Sequence, residues 1–254
     1  MNKIKLILNK HVRKYIRFRN YLPNFKFGRN ISEILLEHIE PYRYMDEWRV
    51  KPFNGQSRRL VNICLICNAF KPDYCIETGT YIGTTTTLLA GLATTKTYTF
   101  EINQKSALQA KKRFSANYPN LKIECVNANS VDEMPKILST IKSEMKIFAY
   151  LDSHWLHEVP TSQEIKILNQ WGPNWIAVID DFKVDHDLGY GFDQYGITVV
   201  SQDIVPKING LQVWVPKEKS EYETGARRGT GYIFTETSAK LMTTELMQNL
   251  VQIR

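Results

Sequence analysis

No carboxylate occurs before Glu33, although nine Lys or Arg stand in the first 32 residues. The net charge of +7 is therefore concentrated at the start of the chain, and the remainder is slightly acidic. No apolar run approaches about 18 residues, so no membrane-spanning helix is expected. Cysteine is scarce: Cys64, Cys67, Cys75 and Cys125 are all there are. Four thiols without framework spacing suggest no disulfide scaffold, and a reducing cytoplasm is the expected compartment. Cys64 and Cys67 form a C-x-x-C, but zinc would need a second pair or histidines at ligand spacing. The pair lies in the apolar helical pattern LVNICLICNAF and reads as two buried thiols. Repeats and low-complexity tracts are absent. No recognised nucleic-acid module accompanies the basic charge, so no nucleic-acid partner is expected.

The basic start has a pattern of its own. Ile4, Leu8, Val12, Tyr15 and Ile16 recur at near-helical spacing with Lys and Arg between them. It is not a secretory signal, since the apolar run is short and no small-residue cleavage site follows. Two readings fit. One is an amphipathic helix lying peripherally on the anionic inner face of a membrane. The other is a helix packing its apolar stripe on the main domain. Pro23 and Gly28 punctuate a linker, and 31–40 read as a short helix. The expected division is a basic helical extension and linker over 1–54 and one domain over 55–254.

From Lys71 strands and helices alternate. DYCIETG, TYTFEI, LKIECVNA, KIFAYLDS and WIAVIDDF read as strands. TTTTLLAGLA, NQKSALQAKKRFSANY, SVDEMPKILSTIK and VPTSQEIKILNQW read as the helices between them. Ser57 is the expected cap of a helix running to Phe70. This rhythm implies βαβ units and a parallel sheet. After Phe182 it breaks, in KVDHDLGYGFDQYG. LQVWVPK and GYIFTET then read as two more strands, and 237–254 as a closing helix. The expected fold is α/β and Rossmann-like. It has a mostly parallel seven-stranded sheet with an antiparallel edge pair and helices on both faces.

In such sheets ligands sit at the carboxyl ends of the strands. ETGTYIGT occupies that place after the first strand. Gly79 permits a sharp turn and close backbone approach, and Gly83 lets the next helix start nearby. The spacing is G-x-x-x-G, which is not the dinucleotide G-x-G-x-x-G, and no lysine follows as a phosphate loop requires. Glu101 ends the second strand, 22 residues after Gly79, where an acid suits the paired hydroxyls of a ribose. Glu77 favours a ligand that carries a cation. Together these suit a nucleoside without a pyrophosphate.

The segments CIETGTYIGTTT, YTFEIN, NANSVDEMP, FAYLDSHW and WIAVIDDF, in this order, resemble class I S-adenosylmethionine-dependent methyltransferases. The resemblance is nearest to the macrocin-type and catechol-type O-methyltransferase branch and covers roughly residues 55 to 236. It implies S-adenosylmethionine as cofactor. Thr78, Gly79 and Thr80 would then line its methionine part, and Glu77 would anchor its ammonium. Glu101 would bind the ribose. Asn129 and Ser130 would lie beside the adenine, where the family commonly has Asp-Ser. Tyr81, Gly83, Thr84 and Asp152 complete the expected cofactor wall.

Asp152 ends the fourth strand; Asp180 and Asp181 end the fifth. Adjacent parallel strands would gather these carboxylates, and three hard oxygen ligands suit Mg²⁺ or another divalent cation such as Ca²⁺. Their spacing is close to the metal-ligand pattern of the same branch. A metal lowers the pKa of a bound hydroxyl and orients it. The competing reading has Asp180 and Asp181 capping the next segment. Asp152 and His154 are the catalytic candidates, with His154 as general base if no metal binds. Tyr190, Phe192 and Tyr195 suggest a lid over an acceptor, with an ordinary ordered loop as the alternative. Arg58 and Arg59 read either as a solvated helix start or as partners of an acidic acceptor. The expected function is O-methylation of a hydroxyl on a small molecule or glycan, most naturally a sugar. The rivals are a non-catalytic nucleoside sensor on the same fold and an NAD-dependent oxidoreductase. Homo-oligomerisation is left open.

Overall fold

The computed structural model describes residues 51–154 and 159–254. The basic N-terminal helix, the 31–40 helix and Trp155 of the LDSHW motif lie outside the described residues. Among the described residues, no helix is long and apolar enough to cross a membrane.

Five parallel strands form the centre. They are β1 (Tyr74–Thr78), β2 (Lys96–Phe100), β3 (Ile123–Val126), β4 (Ile147–Leu151) and β5 (Trp175–Ile179). Their spatial order is β3-β2-β1-β4-β5, so the strand order reverses between β1 and β4. The linking helices are α2 (Thr84–Leu92), α3 (Gln104–Asn117), α4 (Ser130–Leu138) and α5 (Thr161–Trp171), with α1 (Ser57–Phe70) preceding β1. Every described residue of β4 and β5 is buried, as expected for strands covered on both faces.

Alternation along these strands sorts side chains between the two faces. Ile147, Ala149, Leu151, Trp175, Ala177 and Ile179 share one core with Met134 and Leu138 of α4 and Ile165 and Leu168 of α5. Tyr150, of the opposite parity, meets α1 through a hydrogen bond from Arg59 (2.9 Å). Cys64, Cys67 and Cys75 are buried free thiols, in keeping with the core reading of the C-x-x-C. Burial pushes the Cys64 thiol up to about 12, away from reactivity.

Two hairpin strands, β6 (Gln194–Tyr195) and β7 (Thr198–Val199), follow β5 and stand apart from the main sheet. Then β8 (Gln212–Pro216), β9 (Gly231–Phe234) and β10 (Leu250–Gln252) extend the main sheet in the order β5-β9-β8-β10, each pair antiparallel. The main sheet thus has eight strands, one more than the sequence suggests. The difference lies in the expected closing helix. Thr235 and Thr243 each cap a separate short helix, α6 (Glu236–Ala239) and α7 (Thr244–Gln248). The apolar end then pairs with β8 as an edge strand.

The start of α1 is not capped by Ser57. Gln56 holds the cap position without a side-chain capping bond; its amide pairs with the Arg228 backbone instead. Instead the Glu223 carboxylate accepts the backbone N–H groups of Arg58 (2.9 Å) and Arg59 (3.1 Å). A carboxylate at a helix N-terminus satisfies orphan donors and meets the positive end of the helix dipole.

Arg59 is 1% exposed and forms an ion pair with Asp180. Its Nη2 also donates to the carbonyls of Arg228 (2.9 Å) and Gly229 (3.0 Å). The Tyr150 hydroxyl donates to Asp180 (2.7 Å). Burial opposes the guanidinium charge, but Asp180 together with Tyr150, Asp181 and Tyr232 outweighs it and holds the group ionised. Removing one partner would leave the other charge buried alone. Arg59→Met is expected to cost about 3–5 kcal/mol in urea unfolding. Adding Asp180→Asn should recover part of that loss. A near-neutral Arg59→Met would contradict this account.

Candidate active site

The loop after β1 is built by two glycines. Gly79 has φ +87, and a Cβ there would lie 2.2 Å from the Asp152 carbonyl oxygen. The missing side chain thus admits the end of β4, not a ligand as the sequence suggests. Gly83 has φ +77 and lies against the Phe114 ring of α3, and α2 starts at the next residue. The Gly79 and Thr80 N–H groups both donate to the Phe100 carbonyl (2.9 and 3.1 Å). Thr78 accepts the Asp152 N–H at its carbonyl (3.0 Å), which joins β1 to β4 at the switch point. Thr84 opens α2 and is buried.

Glu77 lies under this loop, 1% exposed. Its Oε2 accepts the hydroxyls of Thr86 and Thr99 (2.6 Å for Thr99), and Thr99 in turn pairs with Thr80. The carboxylate therefore fixes the loop from below and is walled off from solvent. Burial raises its pKa to about 7 despite the two hydroxyls.

Glu101 stands on the rim. Its Oε2 accepts the Tyr81 N–H and its Oε1 the Asn103 N–H, each at 2.8 Å. Asn127 donates to the Glu101 carbonyl (2.7 Å). Tyr81 and Ile102 flank the carboxylate at 64% and 69% exposure, an apolar surface beside an acid. Asn129 caps α4 by accepting the Val131 N–H (2.9 Å). The Ser130 hydroxyl donates to Glu164 (2.5 Å), which also accepts from Ser153 (2.8 Å). Glu164, fully buried, was not legible as a site residue; it ties the β3 and β4 loops together.

The three aspartates do not act as a set. Asp180 continues the parity of Val178 and turns to Arg59, on the α1 side. Its Oδ1 also accepts the Asp181 N–H (2.7 Å). Asp181 adopts φ +53, turning the chain out of the strand. Asp152, Asp181 and His154 then converge, with one ligand atom from each within 4.8 Å of the others. His154 is 3% exposed. Its Nε2 lies 3.9 Å from Asp152 Oδ1, 3.8 Å from Asp181 Oδ2 and 3.9 Å from Asp193 Oδ2. Neither ring nitrogen has a hydrogen-bond partner among the described residues.

Asp193 belongs to the segment suspected as a lid. It accepts the Tyr195 hydroxyl (2.6 Å), which also donates to the His154 carbonyl (3.1 Å). Arg228 bridges Asp181 (2.5 Å) and Asp193. Burial works against the Asp181 charge, but His154 and Arg228 hold its carboxyl well below the usual range. Enclosure by protein and the carboxylates of Asp180 and Asp181 push Asp152 up. Burial depresses His154, and the surrounding aspartates more than reverse it. Within the suspected lid, Tyr190 is a core residue whose hydroxyl donates to the Glu218 carbonyl (2.9 Å). Phe192 lies under the Lys183 ammonium, 5.9 Å from its ring centroid, and of the three aromatic residues Tyr195 is the one bonded to the site. Neither Arg58 nor Arg59 faces an acceptor: Arg59 is buried, and Arg58 pairs with Glu218 at 3.0 Å.

No family model and no curated protein matches this sequence. Solved structures do resemble its fold. An O-methyltransferase from Bacillus cereus in complex with SAH superposes with a TM-score of 0.53 at 14% identity, over 80% of this chain and 89% of that one. A putative O-methyltransferase from Klebsiella pneumoniae superposes at 0.50 with 13% identity, over 89% and 96%. The fold is the Rossmann-like fold of class I methyltransferases.

The state of Glu77 has a measurable consequence. The folded chain keeps this proton up to about pH 7, whereas the unfolded chain releases it near 4.5. Ionisation therefore costs folding energy, and stability falls as pH rises through that window. The size is on the order of 2–3 kcal/mol. Glu77→Gln should abolish this decline in thermal melts between pH 5 and pH 8. Identical pH slopes for variant and wild type would contradict the assignment.

Proposed function

We propose that this chain is an S-adenosylmethionine-dependent O-methyltransferase assisted by a divalent cation. One observation carries the reading: Gly79 of the loop and Asp152 of the acidic cluster are in backbone contact. A donor held by the loop and an acceptor held at the cluster would therefore meet at one edge of the sheet.

The residues fit both groups. Glu101 keeps lone pairs for hydroxyl donors, and Tyr81 and Ile102 supply apolar faces for a flat ring. Three carboxylates face a buried histidine whose nitrogens have no partner among the described residues, and among those residues Arg228 is the guanidinium paired with two of the three, Asp181 and Asp193. The excess negative charge suits a cation. Bound there, a divalent ion would supply Lewis acidity that makes an acceptor hydroxyl a better nucleophile. The chain's own part is positioning. Thr78 holds Asp152, Arg228 fixes Asp181 and Asp193, and Tyr195 covers His154. Holding two reactants in line supplies a large share of the rate in such transfers.

The proposed acceptor is a sugar or glycan hydroxyl, by resemblance to the macrocin-type branch. The basic residues 1–30 would suit an anionic membrane surface that carries such an acceptor.

Titration calorimetry with S-adenosylhomocysteine tests the reading. Micromolar binding is expected, weakened about tenfold or more by Glu101→Ala, which corresponds to about 1.4 kcal/mol. No binding to the wild-type chain would overturn it.

A further inference from the structure

We propose that the metal centre is a mixed nitrogen–oxygen site with His154 Nε2, Asp152 and Asp181 as ligands, and that it selects a transition ion such as Mn²⁺ or Zn²⁺ over Mg²⁺. This rests on the metal-assisted reading above but changes its ligand set. The all-carboxylate trio of Asp152, Asp180 and Asp181 is not available, because Asp180 is committed to Arg59, Tyr150 and the Asp181 N–H.

Three observations converge. His154 is buried, and its Nε2 faces three carboxylates at nearly equal distance without a hydrogen bond to any. A buried ring nitrogen left so is costly unless something sits between it and the acids. Second, the Asp181 carboxylate is divided. Its Oδ1 accepts from Arg228, which leaves Oδ2 toward His154. Asp193 also has Oδ1 on Arg228, while its Oδ2 accepts the Tyr195 hydroxyl and stands beside the histidine, outside the ligand set. Arg228 thus acts as a positioning residue that aims ligand atoms, the part outer hydrogen bonds play around metals. Third, the His154 ring is fixed edge-on by Tyr195, with ring centroids 6.2 Å apart. A transition ion holds such ligands at about 2.0–2.2 Å, so neighbouring ligand atoms around it stand roughly 3–3.6 Å apart. The 3.8 and 3.9 Å from Nε2 to the Asp181 and Asp152 oxygens need only a slight contraction to reach that span. Imidazole suits Fe²⁺ and Zn²⁺, and Mn²⁺ accepts it beside carboxylates, whereas Mg²⁺ seeks an all-oxygen shell.

The test uses the full chain loaded with Mn²⁺ and examined by electron spin-echo modulation. Histidine nitrogen coupling is expected in the wild type and should vanish in His154→Asn. In calorimetry, His154→Asn should weaken Mn²⁺ and Zn²⁺ binding at least tenfold and change Mg²⁺ binding much less. Bound Mn²⁺ without nitrogen coupling would overturn the proposal, as would equal losses for all three ions or no divalent binding at all. The wild-type spectrum decides even if the variant fails to fold. S-adenosylhomocysteine binding, measured in parallel, separates the two readings. Cofactor binding without nitrogen coupling sinks only this inference. Nitrogen coupling without cofactor binding sinks only the methyltransferase reading.

Discussion

The buried ion pair between Arg59 and Asp180 holds four parts of the molecule in register. Arg59 comes from α1, Asp180 from the end of β5, and Tyr150 from β4 joins them. The carbonyls of Arg228 and Gly229 close the set from the chain entering β9. A guanidinium this deep is tolerated only because each bonded nitrogen meets a charged or polar oxygen. The pair therefore fixes where α1 sits and where Arg228 begins. It also decides the fate of the acidic pair that ends β5. One carboxylate is consumed inside the protein, and only its neighbour remains for chemistry.

The site grows from that division. Asp181 leaves the strand through a left-handed turn and faces the end of β4, where Asp152 and His154 stand. The segment after β5 returns Asp193 and Tyr195 to the same place, and Arg228 answers part of the charge. On the other side, Gly79 lets the loop after β1 lie against Asp152 itself. The loop after β1 and the acidic cluster thus share a wall of backbone at the switch point, the usual place for a ligand in an open α/β sheet.

Much of this is local and so is visible along the chain. The strand–helix rhythm from Lys71 to Phe182, the bare loop at Gly79 and the acid at Glu101 all show in short windows. What stays hidden depends on distant partners. Glu223 caps a helix 165 residues before it, and nothing in Ser57-Arg58-Arg59 announces that. Asp180 and Asp181 look alike in sequence, yet strand parity and one positive φ send them to different faces. Parity alone was a usable signal there. Asp193 lies in the aperiodic KVDHDLGYGFDQYG, whose aspartates stand out without showing which one returns to the site. The last strand reads as helix because LMTTELMQNLVQIR is apolar at both spacings. Thr243 and the edge of β8 decide it.

The most direct test of a shared wall is the distance between the two bound groups. Isotope-labelled S-adenosylhomocysteine, bound to the full chain, would be observed by NMR with and without Mn²⁺. The account predicts strong paramagnetic broadening of the signals next to the ligand's sulfur, removed when Asp152→Asn prevents the ion from binding. Bound ligand whose signals stay sharp with Mn²⁺ also bound would place the two sites apart and contradict the account.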